Sequence, residues 1–307
     1  MKYAFSTAAL AAIATANPVV TRRQAEAAIT DVGILNYALT LEHLEDKFYR
    51  EGLANYTQED FVQAGFADPF YANLKEISHD ETTHVSFLST ALADAAVAEC
   101  TYAFPSTDPA SFVALASVLE GVGVSAYLGA AASILNTDYL TAAGSILTVE
   151  SRHSAYLRAS AQASPFPQPF DAPLTFDEVY TLAASFLVSC PEANAAKPQL
   201  PLKAFPVLSL GTTGPIKSGD EIELLTPGYS LVAQDGSAPI YAAFISVTGP
   251  IYTDVTAVEG GFKVKVPTGI NGQSYVVLTG CKDQVTDETV AAGPALVEIT
   301  NAYPSTA

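Results

Sequence analysis

Six residues of this chain have the types and spacing to hold two metal ions. Glu42 is followed seven positions later by Tyr49, and Glu120 by Tyr127. Glu81 and His84 make a Glu-x-x-His, and so do Glu150 and His153. On a helix, steps of three and seven residues return a side chain to nearly the same face. If all four segments are helices, four carboxylates and two imidazoles can meet at one point. Such a donor set suits divalent Fe or Mn, and four carboxylates neutralise two such ions. Without cations the same charges would repel one another, and would take up protons or weaken the fold.

A lone Glu-x-x-His is common on exposed helices and means little. Here the chain holds only four histidines, and two of them complete the motif. Both copies also lie on stripes that are otherwise apolar at helical period. The stripes run through Leu35, Ala38, Glu42 and Tyr49; through Leu74, Ile77, Glu81, His84 and Leu88; through Val113, Ala116, Glu120, Val124 and Tyr127; and through Ala143, Ile146, Glu150, His153 and Leu157. Burying Glu or His without partners is costly, so a core stripe gains no stability by carrying them.

Neighbouring residues have alternative readings. Glu45, one turn from Glu42, is either a ligand or an acceptor for a ligating histidine, and the Tyr49 spacing favours Glu42 as the ligand. Tyr49 and Tyr127 are candidates for a catalytic role, through redox steps or hydrogen bonds to ligand carboxylates. The plainer alternative is a buried tyrosine with a satisfied hydroxyl. His43 and His79 fall off the stripes and are expected to be exposed. Gly121, Gly123 and Gly129 are costly inside a helix. They read as points of close packing, with a small-molecule channel as the other reading.

The elements that must position these residues are marked by caps and breakers. Thr30-Asp31 opens a helix to about Gly52, and a second runs from about Pro69 to Ala98. Asp108 with Pro109 opens the third, and Asn136-Thr137-Asp138 is the turn before the fourth, which stops before Pro165. A proline-rich linker follows, then a short fifth helix capped by Thr175 or Asp177 and reaching Ser189. Beyond Pro191 the pattern changes to strands at Glu221–Leu225, Tyr229–Ala233, Tyr241–Val247, Phe262–Val266, Tyr275–Leu278 and Ala295–Thr300, separated by Gly and Pro turns. The expected fold is therefore α + β with two domains. A four-helix bundle with a short fifth helix occupies residues 24–195, and a β-sandwich occupies residues 196–307.

The 307 residues are enough for two cores, and a hydrophobic share of 49% argues against a disordered chain. A net charge of −18 argues against nucleic acid or an anionic membrane as partner. Met1-Lys2, the apolar run after it and Ala14-Thr15-Ala16 read as a signal peptide over residues 1–16. Arg22-Arg23 is either a second processing site, making residues 17–23 a propeptide, or a plain exposed pair. No later run reads as long and uninterrupted enough for a membrane helix, and the polar tail after Val297 lacks a lipid-anchor signal. The expectation is a soluble, secreted, extracellular protein. Export permits disulfides, and Cys100 with Cys190 is the expected pair, leaving Cys281 free. Asn55-Tyr56-Thr57 is a glycosylation sequon expected in a surface loop.

On the Glu42/Tyr49, Glu81/His84, Glu120 and Glu150/His153 pattern, the helical half resembles a ferritin-like domain. That resemblance implies Glu42 and Glu120 as terminal ligands, Glu81 and Glu150 as bridges, and His84 and His153 as terminal ligands. Tyr49 matches the tyrosine that ferritins and bacterioferritins place seven residues after their first ligand. Through Leu41-Glu42-His43-Leu44-Glu45 and Glu81-Thr82-Thr83-His84, most of the chain is similar to the fungal secreted stress-response and late-sexual-development family, relatives of plant desiccation-related proteins. The implied chemistry is oxidative, with O2 or peroxide as partner and an organic substrate left unnamed. A non-enzymatic stress or metal-scavenging role is the alternative. A hollow storage cage is disfavoured by the bulk of the appended β-domain, and the oligomeric state stays open.

Overall fold

The computed structural model describes residues 29–231 and 239–300. The expected signal peptide and the Arg22-Arg23 pair lie outside the described residues. The helical part contains α1 (Asp31–Asn55), α2 (Gln58–Gln63), α3 (Phe70–Leu92), α4 (Pro109–Ala130), α5 (Thr137–Ser160) and α6 (Phe176–Ala183). The four long helices are the bundle. Thr30 caps α1 through its side chain, Asp108 caps α4 with Pro109 at the first helical position, and Asn136 caps α5.

The core shows how the helices run. One apolar layer takes Leu35 and Leu39 from α1, Leu88 and Leu92 from α3, Tyr127 from α4 and Ile146 from α5. A second takes Phe48, Leu74, Phe112 and Leu157 from the same four helices. The order of the two layers along each helix makes α1 antiparallel to α3, and α4 antiparallel to α5, while α3 and α4 are parallel. Two parallel neighbours in sequence need a connection that returns the length of the bundle. Residues 93–108 supply it.

That crossover explains three differences from the sequence expectation. The second long helix ends at Leu92 rather than Ala98, because Ala93 takes a φ of +48°. The crossover backbone is then held by buried side chains: Asn36 donates to Ala95 O and accepts from Val97 N, and Asn194 accepts from Ala98 N and donates to Ala98 O. His43, expected to be exposed, is buried with Nε2 3.3 Å from Val97 O. His79 is exposed. Finally, β1 (Thr101–Tyr102) pairs with β2 (Leu187–Ser189), so the end of the expected fifth helix is a strand. The Cys100–Cys190 disulfide closes beside that pair, and Cys281 is free. Asn55 of the sequon is exposed, at the last residue of α1.

α6 is opened by a capping box: Thr175 accepts from Glu178 N, and Glu178 Oε2 accepts from Thr175 N at 2.8 Å. Glu178 is buried, and its Oε1 has no hydrogen-bond partner. Burial, opposed by the Thr175 N–H, pushes its carboxyl up to about 7. The folded chain therefore keeps a proton that the unfolded chain has lost, and this contribution to stability is lost as pH rises through that window. A shift of this size corresponds to about 2 kcal/mol between pH 5 and pH 7. Glu178→Gln is expected to remove that share while keeping the cap acceptor. Urea denaturation of both proteins at the two pH values checks it, and equal pH slopes would refute it.

The run Pro109–Ser133 corrects another expectation, because it is long and apolar enough to cross a membrane. Here most of it is buried, packed on α1, α5 and α6, with Glu120 buried within it. An apolar stretch covered largely by protein passes the same composition test as one covered by lipid.

The C-terminal part holds β3 (Ser209–Leu210), β4 (Glu221–Leu225), β5 (Tyr241–Phe244), β6 (Ile251–Val258), β7 (Gly261–Lys265), β8 (Gly272–Thr279) and β9 (Val290–Ile299). They form one antiparallel sheet in the order β3-β4-β7-β6-β5-β8-β9. The first half of β6 pairs with β5 and its second half with β7, so this strand carries the sheet from one layer to the other. A parallel bridge between Ile216 and Ile299 nearly closes the sandwich into a barrel. Ile222, Leu224, Phe244, Val264, Val276 and Val297 fill its interior. The expected strand at Tyr229–Ala233 is not formed over its described residues, and β6 was not anticipated.

β8 is buried on both faces because its outer face meets the bundle. Tyr275 donates to Gly121 O and accepts from Ser125 Oγ on α4. Arg158 of α5 forks onto Glu298 of β9 at 2.8 and 3.0 Å. The β-domain thus braces α4 and α5 from outside.

Candidate metal centre

On every long helix the polar residues of the stripe fall between the two apolar layers. α1 brings Glu42, α3 brings Glu81 and His84, α4 brings Glu120, and α5 brings Glu150 and His153. The four carboxylate residues are 0% exposed, and both histidines are buried. The structure brings all six together in two overlapping sets. Glu42, Glu81, His84 and Glu150 each offer a ligand atom within 4.8 Å of the others, and so do Glu81, Glu120, Glu150 and His153. Glu81 and Glu150 belong to both sets, and the other four residues to one each.

Both histidines face the cluster through Nδ1. His84 Nδ1 lies 3.2 Å from Glu42, 3.4 Å from Glu81 and 3.2 Å from Glu150. His153 Nδ1 lies 3.1 Å from Glu81 and 3.3 Å from Glu120. The far nitrogen of His153 reaches Asp80 Oδ2 at 3.2 Å, which fixes the ring and the tautomer. Asp80 was not singled out in the sequence. Its only signal there is adjacency to Glu81, which turns it to the outside of the same helix turn.

The tyrosines are exchanged between helices. Tyr49 of α1 donates to Glu120 Oε1 of α4 at 2.5 Å, and Tyr127 of α4 donates to Glu42 Oε1 of α1. Each therefore serves the Glu of the opposite helix, not the one seven residues before it. Each leaves the second oxygen of that carboxylate turned toward the centre. Burial, then the charge of the carboxylate it meets, holds each phenol well above its ordinary range, so both stay protonated donors.

The electrostatics identify what the cluster lacks among protein groups. Both oxygens of Glu81 and of Glu150, Glu120 Oε2 and His153 Nδ1 are buried without a well-aligned hydrogen bond, although the His84 and His153 rings stand 3.1–3.4 Å from Glu81, Glu120 and Glu150. Burial and the Glu150 charge push Glu81 up to about 8, and burial and the Glu120 charge raise Glu150 well above the carboxylate range. Burial opposes charge on His84 and His153, yet the surrounding carboxylates outweigh it and raise both. Orphaned acceptors of one sign around a common point fit cations, and four carboxylates with two imidazoles fit two divalent ions.

Glu45 joins neither set. Burial, then the charges of Glu150 and the other site carboxylates, raises its carboxyl well above the usual range. It packs beside Gly123, where a Cβ would lie 3.1 Å from Glu45 Oε1 and 3.2 Å from Glu150 Oε2. The three glycines of α4 thus face three different neighbours. Gly121 faces Gln273 of β8, Gly123 the carboxylates, and Gly129 the backbone of Leu174.

Comparison with known proteins agrees with this geometry. Residues 30–163 match the family described as the ferritin-like domain. The chain is also similar to protein rds1 of Schizosaccharomyces pombe, 24% identical over 326 aligned positions that cover 87% of this chain and 80% of that protein. With the bundle, its crossover and its buried Glu and His clusters, residues 30–163 are a ferritin-like domain, followed in this chain by an antiparallel β-sandwich.

Proposed function

We propose that the bundle holds a dinuclear Fe or Mn centre and uses it for redox chemistry on dioxygen or peroxide. The observation that carries this is the sharing of Glu81 and Glu150 by both sets, each fully buried with neither oxygen in an aligned hydrogen bond. In this reading Glu81 and Glu150 would help to hold both ions, Glu42 and His84 would complete the donor set for one, and Glu120 and His153 that for the other. Bound there, two Fe or Mn ions would supply two-electron redox chemistry toward O2 or peroxide.

The chain's own residues set the conditions. Tyr49 and Tyr127 hold one oxygen of each terminal carboxylate and so fix where the other points. Asp80 orients His153. The apolar layers of Leu39 and Leu88 on one side and Phe48 and Leu157 on the other keep bulk water from both ends of the centre. In such a low-dielectric site a carboxylate interacts with a cation far more strongly than in water. The Cys100–Cys190 disulfide supports an oxidising location outside the cytosol, in line with a secreted stress protein.

Protein purified without chelator is expected to carry about two Fe or Mn ions per chain. After anaerobic loading with Fe(II) it should consume dioxygen or peroxide in step with metal oxidation. Elemental analysis and stopped-flow absorbance measure the two. Metal content well below one ion per chain, or a loaded protein inert to both oxidants, would sink the reading.

A further inference from the structure

A pocket of about 130 Å³ lies against the metal centre, between α1, α4 and the segment around α6. Leu41, Leu44, Val118, Val122, Leu182 and Phe186 form most of its wall. Two lining residues carry polar side chains. Ser185 already donates its hydroxyl to Leu182 O at 2.7 Å. The other is Glu45, which forms the floor together with Gly123. Glycine at 123 leaves that floor thin, since a methyl group there would sit 3.1 Å from Glu45 and 3.2 Å from Glu150, a carboxylate common to both metal sets.

We propose that this pocket is the path by which dioxygen reaches the centre, with Glu45 and Gly123 at its inner end. The proposal rests on the redox reading above and narrows its oxidant. Along the apolar wall peroxide would shed water hydrogen bonds that only Glu45, at the floor, could replace, a cost that dioxygen does not bear. An organic substrate needs more room, since pockets for such molecules hold roughly 300–1,000 Å³. A small, dry, apolar cavity takes up apolar gases instead. The pocket shares Leu41, Leu44 and Ala183 with a larger cavity of about 420 Å³ that Tyr102 and Leu202 also line. Those three side chains are the wall between the two spaces.

Xenon, an apolar probe of similar size, tests the path independently of any reaction. Crystals of the full chain under xenon pressure should show the gas beside Gly123. Ala183→Phe fills the pocket from the α6 side, and Val118→Phe fills it from α4; neither residue belongs to the metal sets. Both variants should keep full metal content, lose the xenon site and slow oxidation of the Fe(II)-loaded protein by dioxygen at least about tenfold, as a blocked approach lowers an association rate. Absence of xenon from the wild-type pocket, or an unchanged dioxygen rate in a folded variant, overturns the path. If neither variant folds, the wild-type xenon result decides it. A wild-type protein that carries both metals but reacts only with peroxide overturns the path and leaves the metal centre standing, whereas one inert to both oxidants overturns the redox reading itself.

Discussion

Glu81→Gln is expected to remove both metal ions from the bundle, whereas Glu42→Gln is expected to weaken one position and leave the other filled. The difference follows from membership: Glu81 offers oxygens to both sets of ligands and Glu42 to one. Glutamine has the same volume and leaves no cavity. It has a single carbonyl oxygen and no charge, so it cannot bridge two cations. Even residues that only orient metal ligands cost about 10–100-fold in affinity when lost, so a bridging ligand should cost more than about 100-fold. Stability should change in the opposite sense in the metal-free protein. There Glu81 is one of several buried carboxylates that raise one another, and replacing it by a neutral amide removes a source of that repulsion. Metal-free Glu81→Gln should therefore melt at or above metal-free wild type, while added metal stabilises only the wild type. Elemental analysis with thermal melts in chelator and in metal reads both. A variant retaining two ions per chain would refute the bridging role.

The ligand spacing and the caps were legible in the sequence because both are local. Glu-x-x-His on an apolar stripe, Asp108 before Pro109 and Asn136 before a helix are statements about residues within two turns of each other. What the sequence left unread is non-local. Leu187–Ser189 follows a helical pattern, yet it pairs with Thr101 across the crossover, and the partner decides its conformation. His43 lies off the stripe of α1, but a stripe describes one packed face, and the crossover buries a second one. β6 alternates poorly because most of it is half-buried or exposed while its two halves serve different layers. The α2 helix was missed because six residues are too few for a period to show. Its Thr57/Asp60 capping box was the only local signal. Within the site, the seven-residue spacing located Tyr49 and Tyr127 but not their partners, since the exchange between α1 and α4 is a fact of packing.

The glycines of α4 and α5 show the same limit in energetic terms, and predict opposite effects for one substitution. Gly129 lies one residue before the end of α4 and Gly144 in the interior of α5, and by propensity alone each is an unfavourable helix residue. A Cβ on Gly129 would lie 1.8 Å from the carbonyl oxygen of Leu174, whose N–H is already bonded to Ser125 O, so the intruded group is backbone held in place. A Cβ on Gly144 meets nothing within 4 Å. Gly129→Ala must therefore push the segment before α6 away from α4, and is expected to cost roughly 3 kcal/mol or more, at the upper end of overpacking. Gly144→Ala should instead stabilise by about 0.5–1 kcal/mol, through helix propensity and a less flexible unfolded chain. Chemical denaturation of the two variants beside wild type checks both signs. Because the segment that Gly129 admits also leads into α6, which covers the pocket at Glu45, the larger loss should come with weaker protection of α6 amides from hydrogen exchange, while Gly144→Ala leaves them unchanged.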